Sequence, residues 1–414
     1  MIDLHRLRTQ PKETIALLLK KEPSFDGQKL FDLDVQVRQI RSDVETLRAT
    51  KNDLASKAKG GVTAELREQS IQIGKQLKEL EQKLIEMEEQ FNHIYLRAPN
   101  LIFDEVPAGN KESNKVMRMV GEKAKFDFEP KHHLEIGTKL GWFDFETAAT
   151  LAGSQFVLYK GQGVEVMYAL CMFMLGHNRS RGYQMILPPY VVNEKSLQIA
   201  SNFPKFVDQV YKVQEDDLYL IPTSEVSLTN MYREAIFTIE ELPKRMTSWT
   251  SCFRREAGGY GATERGLIRM HEFEKVELYT FCEPENSSAE QEKMLECATA
   301  ILDKLGLHYR VSLLAAQDCS FPSAKTYDIE VWMPGQQAYY EVSSISNCTD
   351  YQSRRGAIRY RKTAGGKTEL VHTLNGSSLA LSRLMVALIE TYQQKDGSVK
   401  LPDFLSQFGV PDIK

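Results

Sequence analysis

Apolar residues stand alternately three and four apart at Leu30, Leu33, Val37, Ile40, Val44, Leu47 and Leu54, with Lys51 filling the slot between the last two. That spacing is a heptad seam. It breaks at 56–61 (SKAKGG) and resumes at Leu66, Ile73, Leu77, Leu80, Leu84, Met87, Phe91 and Ile94, with Ser70 in one seam slot. Two heptad helices of similar length around a glycine turn pair as an antiparallel hairpin. Each helix, at ~25–30 residues, would run about 40 Å. A seam of two apolar stripes leaves the other faces wet, so this coiled-coil arm (about 28–98) is expected to project and to reach a large partner. It carries Arg38, Arg41, Arg48, Lys51, Lys57, Lys59, Lys75 and Lys78 among many acids. Those cations are either ordinary solvated coiled-coil charges or contacts for phosphates.

The rest of the chain has a different texture. Residues 1–24 read as one helical lead with Leu4, Leu7, Ile15 and Leu18 on its apolar side, and Pro99 closes the arm. The stretch 101–114 is a linker by composition. It divides an N-terminal domain, 1–100, from a second domain, 115–414. A helix over 161–178 is apolar nearly all round, which predicts either deep burial or a subunit interface, the latter implying a homodimer. Helices are expected over 287–306 and 378–394, and strands over 308–315, 326–333 and 369–374. Strands linked by turns more than by crossover helices make this an α+β fold, a mainly antiparallel sheet flanked by helices.

Composition excludes some functions. Net charge is −4, so a nucleic-acid contact has to rest on local basic patches. No apolar run reaches the ~18–20 residues of a membrane span, and the polar start lacks a signal-peptide stretch. Six scattered cysteines without a CxxC imply reduced thiols in a cytoplasmic protein, and no zinc site is expected. Neither GxxxxGK[ST] nor GxGxxG is present, so a bound nucleotide would be held by side chains.

The chemistry concentrates in 253–281, FRREAGGYGATERGLIRMHEFEKVELYTF. Its ends read as strands and its centre, with Gly258, Gly259, Gly261 and Gly266, as a long turn. Alternation on the return strand puts Arg269, His271, Phe273 and Glu277 on one face. It puts Ile268, Met270, Val276 and Leu278 mostly on the other, and Arg254 and Glu256 share a face of the outgoing strand. A face of cations, an aromatic ring and carboxylates is either a solvated sheet laced with ion pairs or a ligand cradle. As a cradle it offers arginines for phosphates, a ring for a base and a carboxylate for an ammonium.

Three further clusters carry less on their own. Thr223-Ser224-Glu225 begins a helix, where Thr223 is an N-cap or, with Glu225, part of an ammonium site. Glu341-Val342-Ser343-Ser344 closes a strand, and its oxygens suit Mg²⁺. Strict alternation would put Glu341 and Ser344 on opposite faces, so joint metal binding requires a bend between them. Arg383 flanks the apolar stripe Leu381, Leu384, Leu388 of the last helix, as a snorkelling arginine would.

In their order, these segments resemble the class II aminoacyl-tRNA synthetases and, within them, the seryl-tRNA synthetases. The helix and strand ending at Pro188 look like the family's first motif, at the dimer interface. Residues 253–277 look like the second, and Asn375-Gly376-Ser377 through Arg383 the third. The serine-specific features are TSE at 223–225, RGLIRMHEFEKVE at 265–277, EVSS at 341–344 and the two-helix arm. Arg255 stands where the family often has serine, and Ala262 where it often has a basic residue.

The resemblance implies a cytoplasmic serine–tRNA ligase that uses ATP, L-serine and serine tRNA; charging of a selenocysteine tRNA is left open. Arg254 would hold the α-phosphate, with Arg255 beside it and Glu256 at the adenine end. Phe273 would stack on adenine, with Arg383 on the other face. Arg269 would hold outer phosphates and Met270 would border the nucleotide. Glu341 and Ser344 would bind Mg²⁺, with Val342 and Ser343 lining the nucleotide between them. Thr223, Ser224, Glu225, Glu277, Asn375 and Ser377 would surround serine. Two other readings stay open: a paralogue that activates an amino acid but charges another carrier, and a coiled-coil RNA-binding protein on an inactive synthetase fold.

Overall fold

The structure is a computed structural model that describes residues 1–59, 61–257 and 266–409. Gly60 of the arm's turn, and Gly258, Gly259, Gly261 and Ala262 of the glycine-rich loop, lie outside the described residues. The chain divides into two compact units, 1–101 and 102–414.

The first unit opens with two helices, α1 (Leu4–Thr9) and α2 (Pro11–Lys21), instead of one. Pro11 lacks an amide hydrogen and starts the second, which accounts for the break. Helices α3 (Gly27–Ala58) and α4 (Ala64–Tyr95) form the arm, and each has 32 residues. Asp26 caps α3 by accepting from the Lys29 amide, and Thr63 caps α4 by accepting from the Leu66 amide. Seam residues Ile40, Val44 and Leu77 are buried together, with Leu47, Leu80, Leu84 and Met87 packed around them. Arg41 pairs with Glu88 and Arg48 with Glu81. One heptad forward on α3 is one heptad back on α4, so these pairs mark an antiparallel register. Arg38 is engaged by Asp34 and Lys57 by Asp53. Lys51, Lys59, Lys75 and Lys78 are exposed and make no ion pair among the described residues.

The second unit is built on an eight-stranded sheet. Its strands are β1 (Lys115–Val120), β2 (Gln184–Met185), β3 (Lys244–Phe253), β4 (Glu272–Cys282), β5 (Tyr309–Leu313), β6 (Lys325–Met333), β7 (Ala338–Asn347) and β8 (His372–Ala380), in the order β1-β5-β6-β7-β8-β4-β3-β2. All neighbours are antiparallel except β2 and β3. Helices α5 (Gln162–Ser180), α7 (Ser287–Lys304) and α9 (Leu381–Tyr392) bury one face, with Val276, Leu278, Ile329, Ile345 and Leu374 in a common core. The opposite face of β4, β7 and β8 stays open at its centre. Short helices α6 (Glu225–Asn230) and α8 (Tyr351–Gly356) stand beside it.

Three expectations change. The stretch that composition makes a linker is bound to this unit: Ile102 and Val106 are buried, and the Ala316 amide donates to the Pro107 carbonyl at 2.8 Å. Its composition dictates an irregular backbone, not an unattached one. The return strand starts at Glu272, preceded by a 3₁₀ turn over Gly266–Ile268, so Arg269 and His271 are outside the ladder. Finally, the strand expected to end at 374 runs on to Ala380, so Asn375-Gly376-Ser377 is the middle of β8, and the helix expected from 378 starts only at Leu381. Gly376 serves close approach there, because a Cβ would lie 2.3 Å from Ile345 Cδ1.

Candidate active site

A cavity of about 450 Å³ sits on the open face of the sheet. Its floor follows from strand alternation. Phe273, Lys275 and Glu277 on β4 all point into it, as do Asn375 and Ser377 on β8. Glu277 and Ser377 stand directly opposite each other on neighbouring strands. On β7, Asp328 of β6 faces Ser344 and Ile329 faces Ser343, but Glu330 faces Glu341. Val342 is therefore the extra residue of a β-bulge, which brings Glu341 and Ser344 to the same side. This is the bend that joint metal binding requires.

One group of side chains is acidic and enclosed. Thr223 Oγ1 donates to Glu277 Oε2 at 2.8 Å and accepts from Lys275 Nζ at 2.7 Å, and Lys275 also pairs with Glu277. The Glu225 amide donates to Thr223 Oγ1 at 3.2 Å. The cap position of α6 is Ser224, whose buried hydroxyl has no partner among the described residues. Glu225 accepts from Gln352 Nε2 at 2.6 Å and Asn375 Nδ2 at 3.2 Å. Gln352 is in turn fixed by Tyr279 and Thr373, which both donate to its Oε1. Burial, and then the charge of Glu277, raise the Glu225 carboxyl to about 7.

The second group is cationic. Arg254 follows the end of β3, where its Nε donates to the Pro222 carbonyl and its guanidinium lies 5.1 Å over the Phe273 ring. Glu256 has a left-handed backbone, φ 49°, and pairs with Arg269 at 2.8 Å. Strand alternation therefore does not govern Arg254 and Glu256, yet both line the cavity, as do Arg269 and Met270. Arg383, in the first turn of α9, donates to the Glu341 carbonyl at 2.7 Å and the Ile268 carbonyl at 3.3 Å.

Other candidate residues fall outside the lining. Val342 packs in the core, Ser343 donates to the Ser377 carbonyl, and Arg255 is exposed with its amide bonded to the Gln209 carbonyl. His271 belongs to the scaffold. Its amide donates to Gln155, its carbonyl accepts from the Arg254 amide, and its Nδ1 lies 3.0 Å from the Arg254 carbonyl.

Three further residues shape the site. Lys275 was legible, because the alternation that selects Phe273 and Glu277 also selects the residue between them. Asp328 alternates on β6 with the core residues Tyr327 and Ile329, so it faces away from the core. Its Oδ1 is buried without a hydrogen-bond partner among the described residues, and burial followed by the Glu341 charge holds its carboxyl well above the usual range. Hard oxygen donors around an unpartnered carboxylate oxygen fit a small divalent cation. Gln352 had no sequence signal. His132, His133 and Glu390 also gather donor atoms within 4.8 Å. Glu390 there accepts from the His133 amide and the Gly335 amide and meets the His133 ring, whose Nε2 accepts from Leu267, so the group is a strut between α9 and the return of the hairpin.

An antiparallel sheet with this cavity, side-chain arginines and no phosphate loop defines a class II aminoacyl-tRNA synthetase. Residues 209–392 match the tRNA synthetase class II core domain (G, H, P, S and T), and residues 1–102 match the seryl-tRNA synthetase N-terminal domain. The chain belongs to the seryl-tRNA synthetase family. It is 43% identical to a serine–tRNA ligase of Leptospira biflexa, covering 99% of this chain and 100% of that one. It is 44% identical to one from Syntrophobacter fumaroxidans, covering 99% and 98%. Among solved structures it is similar to the Pyrococcus horikoshii seryl-tRNA synthetase complexed with ATP, with a TM-score of 0.93, 32% identity and coverage of 100% and 99%. A Naegleria fowleri cytoplasmic serine–tRNA ligase in complex with AMP matches with a TM-score of 0.81 at 28% identity, covering 94% and 91%.

Proposed function

We propose that this chain is a serine–tRNA ligase whose cavity holds ATP against the arginines and serine against the acidic group. The observation that carries the reading is the convergence of Thr223, Glu225, Glu277, Asn375 and Ser377 beside Arg254, Arg269 and Arg383 in one cavity. Serine's carboxylate attacks the α-phosphorus, releasing pyrophosphate and leaving seryl-adenylate. A terminal ribose hydroxyl of tRNA then attacks the acyl carbon, breaking the acyl–phosphate bond, so that AMP leaves and the hydroxyl proton is released. Neither step needs a covalent enzyme intermediate, so positioning and charge neutralisation supply the catalysis.

Arg254 neutralises the α-phosphate, and Arg269 and Arg383 the outer phosphates. Phe273 stacks on adenine, with Arg383 on the other face, and Glu256 and Met270 border the nucleotide. Thr223 and Glu225 hold the α-ammonium of serine. Glu277, Ser377 and Asn375 meet its ammonium and hydroxyl. A pocket that pairs the hydroxyl rejects alanine by stranding polar groups, and threonine by crowding.

Mg²⁺ fits Glu341 and Ser344, with Asp328 beside them, and when bound it offsets phosphate charge. Glu341→Gln should raise the Mg²⁺ concentration for half-maximal ATP binding by at least about tenfold. Equilibrium nucleotide binding across a Mg²⁺ series checks this, and an unchanged midpoint would remove Glu341 as a ligand.

The Glu225 carboxyl gives a pH signature. Its folded-state value of about 7 exceeds the ordinary 4.5. The folded protein therefore keeps a proton that the unfolded chain loses, and its contribution to stability declines as pH rises from 4.5 to 7. An ammonium ligand favours the ionised form, so serine binding near pH 6 should release about one proton, and near pH 8 almost none. Calorimetry in buffers of unlike ionisation heat reads this directly. Equal release at both values would contradict the assignment.

Other features support a cytoplasmic homodimer that grips tRNA with its arm. All six cysteines are buried. Tyr168 and Met172, four apart on α5, are half exposed, and Leu187 beyond β2 is 78% exposed, as a subunit interface would be. No described helix is long and apolar enough to cross a membrane. Serine-dependent ATP–pyrophosphate exchange, followed by charging of serine tRNA, tests the whole reading. No exchange sinks it, and exchange without charging leaves an amino-acid activator with another acceptor.

A further inference from the structure

Lys275 has no part in the steps above. Its side chain reaches the cavity from the middle of β4, with Thr250 of β3 and Ala380 of β8 opposite its backbone. The ammonium is buried, pairs with Glu277 and donates to Thr223, and Thr223 donates back to Glu277. The three form a closed ring. Glu225 stands outside it and is oriented by two neutral amides, those of Gln352 and Asn375. With both acids ionised, two carboxylates and one ammonium leave this group one negative charge. A buried charge without a partner is costly, so the group is set to accept one further cation.

We propose that Lys275 is a positioning residue that sets the charge of the amino-acid pocket. By clamping Glu277 and Thr223 it leaves Glu225 for a single substrate ammonium, and it repels a second ammonium at the side-chain position. The inference rests on the serine reading above. The ligand it bears on is L-2,3-diaminopropionate, which carries an amine where serine carries its hydroxyl. The unaltered pocket excludes that diamine by like charge, a repulsive form of selectivity.

The test is pyrophosphate exchange with the full-length enzyme, run with serine and with L-2,3-diaminopropionate. In Lys275→Met, serine kcat/KM should fall about 10²-fold, chiefly through KM, because a charged hydrogen-bond partner is lost. The KM for ATP should stay within about twofold, since the nucleotide groups are untouched. The ratio of diamine to serine kcat/KM should rise by about 10²-fold or more, as a like-charge barrier is removed. A purely structural lysine would alter stability and both substrates alike.

A second comparison covers loss of folding in that variant. Glu277→Gln leaves the group neutral, whereas Lys275→Met with Glu277→Gln restores one negative charge. The double variant should therefore bind serine more tightly than Glu277→Gln alone. Weaker binding by the double variant, or an unchanged diamine ratio in Lys275→Met, overturns the inference while the serine reading stands. Absence of serine-dependent exchange in the unaltered enzyme overturns both.

Discussion

Glu277→Gln should lower serine kcat/KM in ATP–pyrophosphate exchange by about 10³-fold, from the loss of two charge-assisted contacts at roughly 1.5–3 kcal/mol each. ATP affinity should hold within about threefold, because Arg254, Arg269, Phe273 and Arg383 are unaltered. Glu277 is 1% exposed, and its carboxylate is organised before substrate arrives by Thr223 at 2.8 Å and by Lys275. Glutamine keeps the volume and can still accept from Thr223, but it cannot balance an ammonium. The loss should fall on serine, and added serine should not restore full turnover if the contact tightens as the adenylate forms. Thermal unfolding in parallel separates the explanations. A variant that melts early while turning over serine normally would make Glu277 a scaffold residue and remove it from the amino-acid site.

What could be read from the sequence follows from period and chemistry. Period 3.5 gave the arm, because Leu30 through Leu54 and Leu66 through Ile94 admit one antiparallel pairing, which Arg41–Glu88 and Arg48–Glu81 mark. Period two gave the cavity floor wherever the backbone is truly a strand, as at Phe273 and Glu277. It failed where the ladder stops. Arg269 and His271 precede β4, Glu256 has a left-handed backbone, and all three owe their positions to loop contacts between distant segments. Gln352 shows the deeper limit. It reaches Glu225 from 127 residues away through a short helix, and no local pattern encodes that contact. The bulge at Val342 lies between these cases. Joint metal binding by Glu341 and Ser344 would require a bend, and only the register against β6 shows which residue supplies it.

Removing the arm should separate the two half-reactions. Residues 42–87 can be excised and Arg41 joined to Glu88 by a turn of about four residues, since packed helices lie about 8–10 Å apart and short helix connections span that gap. Leu30, Leu33 and Val37 of the seam remain, as does Asp34 with Arg8 and Arg38, and the Tyr95 hydroxyl still donates to the Ile2 carbonyl. The first unit should therefore stay folded. Exchange with serine should be unchanged within about twofold, because no residue of the cavity is altered. Charging kcat/KM for serine tRNA should fall by about 10³-fold or more, the scale of losing several phosphate contacts. A gentler variant, Lys51, Lys75 and Lys78 to Gln, should reduce the slope of log kcat/KM against log salt by about 2 to 3 if each lysine meets one phosphate. Retained charging by the excised protein would mean that another element grips the tRNA. An unchanged salt slope would return those lysines to ordinary solvated charge, with the arm binding through its paired arginines or its turn.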